Sequence, residues 1–163
     1  MKGEIRNVRS RDAQGRRAGF VSQALAFALD ALVILGAYLA LLAVYSFLRF
    51  LITSKPFDWP QPGRWVNWDL ILVIGVLILW SAWSGSGRAP GMAVLGLRVV
   101  DGAGETLSSR RAFWRAVLAM ITLGLGVITV LFSRKNRSLY DMICKTATIY
   151  DWRPKLSDSR QNR

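Results

Sequence analysis

Residues 20–52 read FVSQALAFALDALVILGAYLALLAVYSFLRFLI, an apolar run with a single acid, Asp30. A helix of about 20 apolar residues crosses the hydrocarbon core of a bilayer, which is about 30 Å thick. This run exceeds that length even when the helix is tilted. The sequence therefore predicts a membrane protein. Because a carboxylate is costly inside lipid, Asp30 should face protein or water.

The chain as a whole fits one small helical membrane unit. It has 163 residues, of which 52% are apolar, and a formal net charge of +12. We expect one membrane domain at 20–152, a flexible basic tail at 1–19 and a polar tail at 153–163. The basic residues lie beside the apolar stretches, so anionic lipid headgroups are the expected partner and nucleic acid is not.

Composition also limits the chemistry that the chain can perform. The sequence has no His and one cysteine, Cys144. An intrachain disulfide is therefore impossible, and the commonest metal ligand and proton shuttle is missing. We expect no metal, no cofactor and no enzymatic activity.

The distribution of charge predicts the topology. The tail at 1–19 carries six bases against two acids, which places it in the cytoplasm by the positive-inside rule. The segment at 54–68 holds three prolines and three tryptophans, which suits the outer interface. A second crossing at about 69–83 then returns the chain to the cytoplasm.

The first helix should present one small and polar face. Gln23, Ala26, Asp30 and Ala37 fall near one side of a helical wheel, because steps of three, four and seven residues return to the same side. Small residues let another helix approach closely in lipid. We interpret this face as the side that points into the bundle.

The third apolar segment, residues 111–133, allows two interpretations. As one helix it just spans the bilayer, which would put the C-terminus outside. The segments before and after it are both basic, however, and both therefore favour the cytoplasm. We favour a re-entrant hairpin that breaks at Gly124 and Gly126, with a third crossing as the alternative.

Two short segments have the composition of β-strands. The stretch at 95–101 reads LGLRVVD and is followed by a GAG turn, and the stretch at 146–152 reads TATIYDW. They could pair as a small cytoplasmic ribbon. The predicted fold class is an all-α membrane protein with two transmembrane helices, a third apolar segment and this ribbon, with both termini in the cytoplasm.

The order of these features resembles the RDD family of small bacterial membrane proteins, named for one Arg and two Asp. The first family Asp corresponds to Asp30 in QALAFALD, and the second to Asp141 in RSLYDMICKT. Pro90-Gly91 and the following GLRVVDGAGETLS are similar to the middle of the family pattern. The family Arg, seven residues before the first Asp, is replaced here by Gln23. The resemblance implies a multi-pass protein of the bacterial inner membrane.

The resemblance also implies a transport role, because sodium/proton antiport is associated with some members. In the transport hypothesis a homo-oligomer moves a cation, a proton or another small solute, with Asp30 binding the ion and with Asp30 and Gln23 as the ion-binding or intramembrane polar groups. The accompanying cytoplasmic polar cluster would consist of Asp141, Arg98, Asp101 and Arg115. The alternative is a non-enzymatic accessory or assembly subunit of a larger membrane complex, which docks through small-residue stripes.

Overall fold

The computed structural model of the chain describes residues 15–53, 56, 58–60, 63–122 and 138–151, without the side chains of Arg64 and Trp65. Most of the predicted tails and the predicted break at Gly124 and Gly126 lie outside these residues.

Two long helices dominate the fold. Helix α1 spans Phe20–Thr53 and helix α2 spans Arg64–Gly85, and both are long and apolar enough to cross a membrane. At 1.5 Å per residue, α1 is about 50 Å long and α2 about 33 Å. Helix α2 begins five residues before the predicted start at Asp69, so it takes in part of the tryptophan-rich segment. The helices fit a membrane protein.

A short helix and a two-stranded ribbon follow α2. Helix α3 spans Pro90–Val94 and has a proline in its first turn, where the missing N–H costs no intrahelical hydrogen bond. Strands β1, Leu97–Val100, and β2, Ala147–Tyr150, pair antiparallel with Leu97 opposite Tyr150 and Val99 opposite Thr148. The two β-prone segments of the sequence thus form one ribbon.

Residues 15–18, which belong to the predicted N-terminal tail, run along β2. Arg17 forms an antiparallel bridge with Ile149, and Ala18 N donates to Thr148 O at 2.9 Å. Ala18 is completely buried. Strand β2 is therefore covered by β1 on one edge and by residues 15–18 on the other, so its backbone hydrogen bonds are largely made within the chain.

Helix α4, Ser109–Ile121, packs against α2. Ala112, Ala116 and Ala119 are fully or almost fully buried, and their spacing of four and three residues places them on one face. Small side chains on this face allow the close approach to α2. The helix ends at Ile121 and Thr122 caps it, so the third apolar segment is helical over its first half.

Helix α5, Leu139–Ile143, lies beside α4 and leads into β2. Its N-cap is Ser138, whose hydroxyl accepts from Asp141 N at 3.4 Å. The buried core lies where α1, α2, α4 and the ribbon meet, and it includes Ala26, Leu79, Trp83, Val99, Met120 and Tyr140.

Candidate functional site

The carboxylate of Asp30 accepts a hydrogen bond from the first turn of helix α3. Gly91 N donates to Asp30 Oδ1 at 2.7 Å, and the Asp30 side chain is buried. A β-carbon at Gly91 would collide with the backbone oxygen of Ala26 and would lie 2.8 Å from Leu29 Cβ. The Pro90-Gly91 pair therefore serves two purposes: proline starts the short helix, and glycine lets it come close enough to reach Asp30.

Gln23, which corresponds to the family Arg in the resemblance described above, lies on the same buried face of α1 as Asp30. Its side-chain Nε2 donates to Ala18 O at 2.8 Å, which fastens the segment before the helix to the helix itself. Among the described residues, its Oε1 atom is buried without a hydrogen-bond partner. The predicted face is observed for Gln23, Ala26 and Asp30, but Ala37 is only partly buried, and Ile34 and Tyr38 continue the face.

The second aspartate forms a buried ion pair. Arg115 Nη2 lies 2.8 Å from Asp141 Oδ1, and the two side chains are 0% and 1% exposed. Helix α4 carries the arginine and helix α5 the aspartate, on either side of residues 123–137. A buried pair of this kind needs further hydrogen bonds, because removing two charges from water costs several kcal/mol per ion.

Two threonines of the ribbon supply such hydrogen bonds. Thr146 Oγ1 donates to Asp141 Oδ1 at 2.9 Å, and Thr148 Oγ1 donates to Asp141 Oδ2 at 3.3 Å. Arg115 Nη2 also lies 3.3 Å from Thr148 Oγ1. Thr148 faces Val99 across the ribbon. The ion pair thereby connects α4 and α5 to β2 and to the residue before it.

Two aromatic rings enclose the guanidinium of Arg115. Its central carbon lies 4.5 Å from the centroid of the Trp83 ring and 4.7 Å from that of Tyr140, distances at which a cation is attracted to a ring face. Arg115 Nε and Nη1 have no hydrogen-bond partner within the described residues. Burial raises the pKa of the Tyr140 hydroxyl, and the nearby charge of Arg115 partly opposes this effect.

The other two members of the predicted polar cluster lie elsewhere. Arg98 Nη1 is 3.4 Å from Asp151 Oδ2, and Arg88 Nη2 approaches the same oxygen at 2.8 Å. The separation follows from strand alternation: Arg98 lies between Leu97 and Val99 and so points to the opposite face of the ribbon. The four predicted residues thus form one buried pair and two separate sites.

Asp101 organises the turn after β1. Its Oδ1 accepts from the backbone N–H groups of Ala103 and Glu105 at 2.8 and 3.0 Å. These hydrogen bonds lower the pKa of the Asp101 carboxyl. Its other oxygen lies 3.9 Å from Arg111 Nη1, an ion pair that is open to solvent. Asp101 therefore contributes to the turn and not to the buried pair.

Sequence reasoning missed several residues of these sites. It assigned no role to Trp83, the last residue of the predicted second crossing, or to Tyr140, which directly precedes Asp141. It also did not pair Arg88 with Asp151. A tryptophan at a helix end is common at membrane interfaces, so its position gave no signal of a cation partner.

Most of the polar side chains described above form hydrogen bonds or ion pairs with other groups of the chain. Among them, no group of three or more His, Cys, Asp or Glu could hold a metal ion. Asp30 is bonded to a backbone N–H and Asp141 to an arginine and two hydroxyls. The arrangement can therefore fix the ribbon, α3 and α5 against the ends of the long helices.

Comparison with known proteins gives one match. The model of the RDD family matches residues 17–145, a range that contains Gln23, Asp30, Arg115 and Asp141. No curated protein and no solved structure matches the chain.

Proposed function

This chain belongs to the RDD family of membrane proteins, and from that premise we propose that it is a non-enzymatic accessory or assembly subunit of a larger membrane complex. In this proposal α1 and α2 dock on partner helices in the bilayer. The polar residues described above hold the small cap formed by α3, α5 and the ribbon in a fixed position. The partner is another membrane protein or a second copy of this chain.

The observation that carries the proposal is the engagement of both aspartates by groups of the chain itself. Asp30 accepts the Gly91 N–H, and Asp141 is paired with Arg115 in a site from which solvent is excluded. A group that binds and releases an ion must exchange its ligands, whereas these two carboxylates are held by backbone and buried side chains. This arrangement supports a structural role for both.

The position of Asp30 along α1 gives further support. Gly91 follows the end of α2 at Gly85 by only six residues, so its partner Asp30 is near the level at which α2 ends. Asp30 also precedes Thr53 by 23 residues, about 34 Å along the helix axis, which matches the thickness of the hydrocarbon core. We therefore place Asp30 at the inner boundary of the membrane, where a carboxylate is less costly than at its centre.

The docking face in this proposal is the side of α1 opposite its buried face. Gly36 and Ala40 are one helical turn apart and exposed, and a β-carbon at Gly36 would meet no atom within 4 Å. Small residues four positions apart allow the backbones of two membrane helices to approach closely. The buried face of α1 is already used by this chain, so Gly36 and Ala40 remain for a partner.

The test compares two leucine substitutions on α1. Gly36→Leu should remove the partner from complexes that are purified in mild detergent and analysed by mass spectrometry. Ala28→Leu is the control, because Ala28 is also exposed and lies roughly two turns before Gly36. Recovery of the unmodified protein only as a lone monomer would contradict the proposal, and so would equal effects of the two substitutions.

Transport remains a second candidate because polar side chains recur along the buried face of α1. Tyr38 donates a hydrogen bond to Asn67 of α2, and Ser46 is buried with no partner for its hydroxyl among the described residues. An oligomer could use such groups to line a path for a cation or proton. Reconstituted vesicles with a pH-sensitive dye test this candidate. A sodium-driven proton flux that Asp30→Asn abolishes would favour transport over the accessory role.

The proposed topology puts both termini and the ribbon in the cytoplasm of a bacterial cell, with α1 and α2 crossing the inner membrane. Its support is the contact between segments on either side of residues 123–137. Arg115 of α4 pairs with Asp141 of α5, and β1 pairs with β2. Residues in contact share a compartment, so a chain that returns to its starting side accounts for both contacts. This requirement supports the proposal of a re-entrant hairpin over one full crossing.

A further inference from the structure

A groove of about 600 Å³ lies between the first turns of α4 and the end of α5. Three bases line it, Arg110, Arg111 and Lys145, and so do three apolar residues, Trp114, Leu118 and Ile143. We propose that this groove binds one anionic phospholipid, with the phosphate at the three bases and an acyl chain along the apolar residues. The inference goes beyond the accessory role and requires only that α1 and α2 lie in a bilayer.

The lining of the groove changes from basic near the membrane surface to apolar towards the membrane interior, as the binding of a lipid would require. Trp80 Nε1 of α2 donates to Ser109 Oγ at 3.0 Å, so the basic start of α4 lies near the end of α2. Farther along, Ile121 shares an apolar surface with Leu72 of α2. Helix α4 therefore runs back along α2 towards the membrane interior. Headgroup and acyl chain follow the same order across a leaflet.

The charges of the groove are largely uncompensated. Within the described part of the chain, no ion pair involves Arg110 or Lys145. Arg111 has one acidic neighbour, Asp101 at 3.9 Å, and its side chain is 54% exposed. Three bases with one peripheral acid form a positive patch, which attracts the anionic lipids of an adjacent leaflet.

Lys145 adds an independent observation. Its backbone φ angle is +53°, in the left-handed region that glycine or asparagine usually occupies at the end of a helix. A lysine in this conformation strains the backbone, and strained residues cluster at functional sites. Glycine at this position would relieve the strain, but it would remove one of the three charges that line the groove.

The apolar half of the groove distinguishes a lipid from a soluble anion. Trp114 and Ile143 are 55% and 57% exposed. Free phosphate would contact the bases and leave these side chains uncovered. A phospholipid covers both parts at once, because its phosphate is followed by acyl chains. The observed lining therefore fits an anionic lipid better than a soluble phosphate compound.

Cys144 is a built-in reporter of the groove, since it lines the groove and is the single cysteine of the sequence. Burial raises the pKa of its thiol, so its alkylation at neutral pH is slow enough to follow. The experiment measures alkylation by an uncharged maleimide in nanodiscs of phosphatidylcholine, with and without phosphatidylglycerol. Phosphatidylglycerol should slow the reaction at least about fivefold. This factor is the preference for an anionic over a neutral lipid surface that a single base is expected to give.

Three variants separate a specific site from general surface charge. Lys145→Gly relaxes the backbone, and Arg110→Gln lies on the exposed side of α4, so both should fold and lose most of the protection. Arg16→Gln is the control, because it removes one exposed charge outside the groove. Native mass spectrometry should show one retained phosphatidylglycerol per chain in the unmodified protein and in Arg16→Gln, and loss of this lipid in the other two variants.

Three results would overturn the proposal. The first is an equal alkylation rate in the two kinds of nanodisc. The second is retention of the lipid by Lys145→Gly and Arg110→Gln as strong as by Arg16→Gln. The third is equal protection of Cys144 by inorganic phosphate in phosphatidylcholine nanodiscs, which would assign the groove to a soluble anion. Thermal unfolding of each variant confirms that the compared proteins are folded.

Discussion

At the scale of single residues, the two family aspartates solve different physical problems. Asp30 provides an acceptor for a backbone N–H at the first turn of α3. Asp141 neutralises an arginine that two aromatic rings and the ribbon remove from water. The role of Asp30 therefore depends mainly on its acceptor oxygen, and the role of Asp141 depends on its negative charge. This difference separates the expected effects of replacing each carboxylate by an amide.

Asp30→Asn should preserve the fold, because the amide oxygen of asparagine can still accept the Gly91 N–H. Asp30→Ala should lower the stability by roughly 1–3 kcal/mol, the cost of leaving a buried donor without a partner. Thermal unfolding in detergent measures both variants. Equal destabilisation by the two substitutions would show that the negative charge, and not the acceptor, matters at this position.

The buried pair should show strong coupling in a double-mutant cycle. Arg115→Met leaves the Asp141 carboxylate buried and unpaired, and should cost roughly 3–5 kcal/mol. Arg115→Met combined with Asp141→Asn removes both charges and should recover about 1–3 kcal/mol relative to the sum of the single changes. Unfolding free energies in mixed micelles provide the four values. Additive effects would argue against a direct interaction.

At the scale of elements, the Pro90-Gly91 start of α3 determines how closely the cap approaches α1. The helix has only five residues, so its position depends on tertiary contacts more than on its own stability. Its first turn touches α1 at Ala26, Leu29 and Asp30. The glycine is needed for this contact, because a side chain would have to displace backbone atoms.

Gly91→Ala should destabilise the protein, by about 1–3 kcal/mol as for other overpacked sites. Gly75→Ala is the matched control, because its added carbon would meet only the flexible end of Met120, whose sulfur would lie 2.6 Å away. That thioether can move aside at little cost. Hydrogen exchange of the Gly91 amide and the unfolding temperature report the difference. A larger effect at Gly75 would contradict the proposed close approach.

At the scale of the whole molecule, specific polar contacts join the cap to the helices. Helix α3 meets α1 through Asp30, and α5 and the ribbon meet α4 through the Arg115–Asp141 pair. The groove proposed for lipid lies along the same boundary, beside α4 and α5. The cap and the proposed lipid groove therefore lie at the same height along the axes of the long helices.

Single-cysteine labelling tests the orientation of this arrangement. In a Cys144→Ser background, cysteines replace Ser10, Ser54, Glu105 and Ser157 one at a time, and intact cells are treated with a membrane-impermeant maleimide. Only the cysteine at position 54 should react, since the basic flanks and the paired strands favour one cytoplasmic side. Labelling at position 157 together with protection at position 105 would place the ribbon and the C-terminus on different sides.

The two long helices, the family and the inward face of α1 could be predicted from the sequence. Apolar length and the spacing of small and polar side chains are local properties, so they identified α1, α2 and the face that carries Gln23 and Asp30. The β-prone composition likewise identified the segments that form β1 and β2.

The partners of these residues could not be predicted from the sequence, because they depend on tertiary packing. Asp30 is held by a backbone N–H 61 residues away, and every residue except proline has such a group, so no pattern marks it in advance. Arg115 and Arg98 are equally basic in the sequence, but helix packing buries the first beside Asp141, and strand alternation turns the second towards Asp151. Partners depend on the relative positions of distant elements, and those positions follow from the packing of the whole chain.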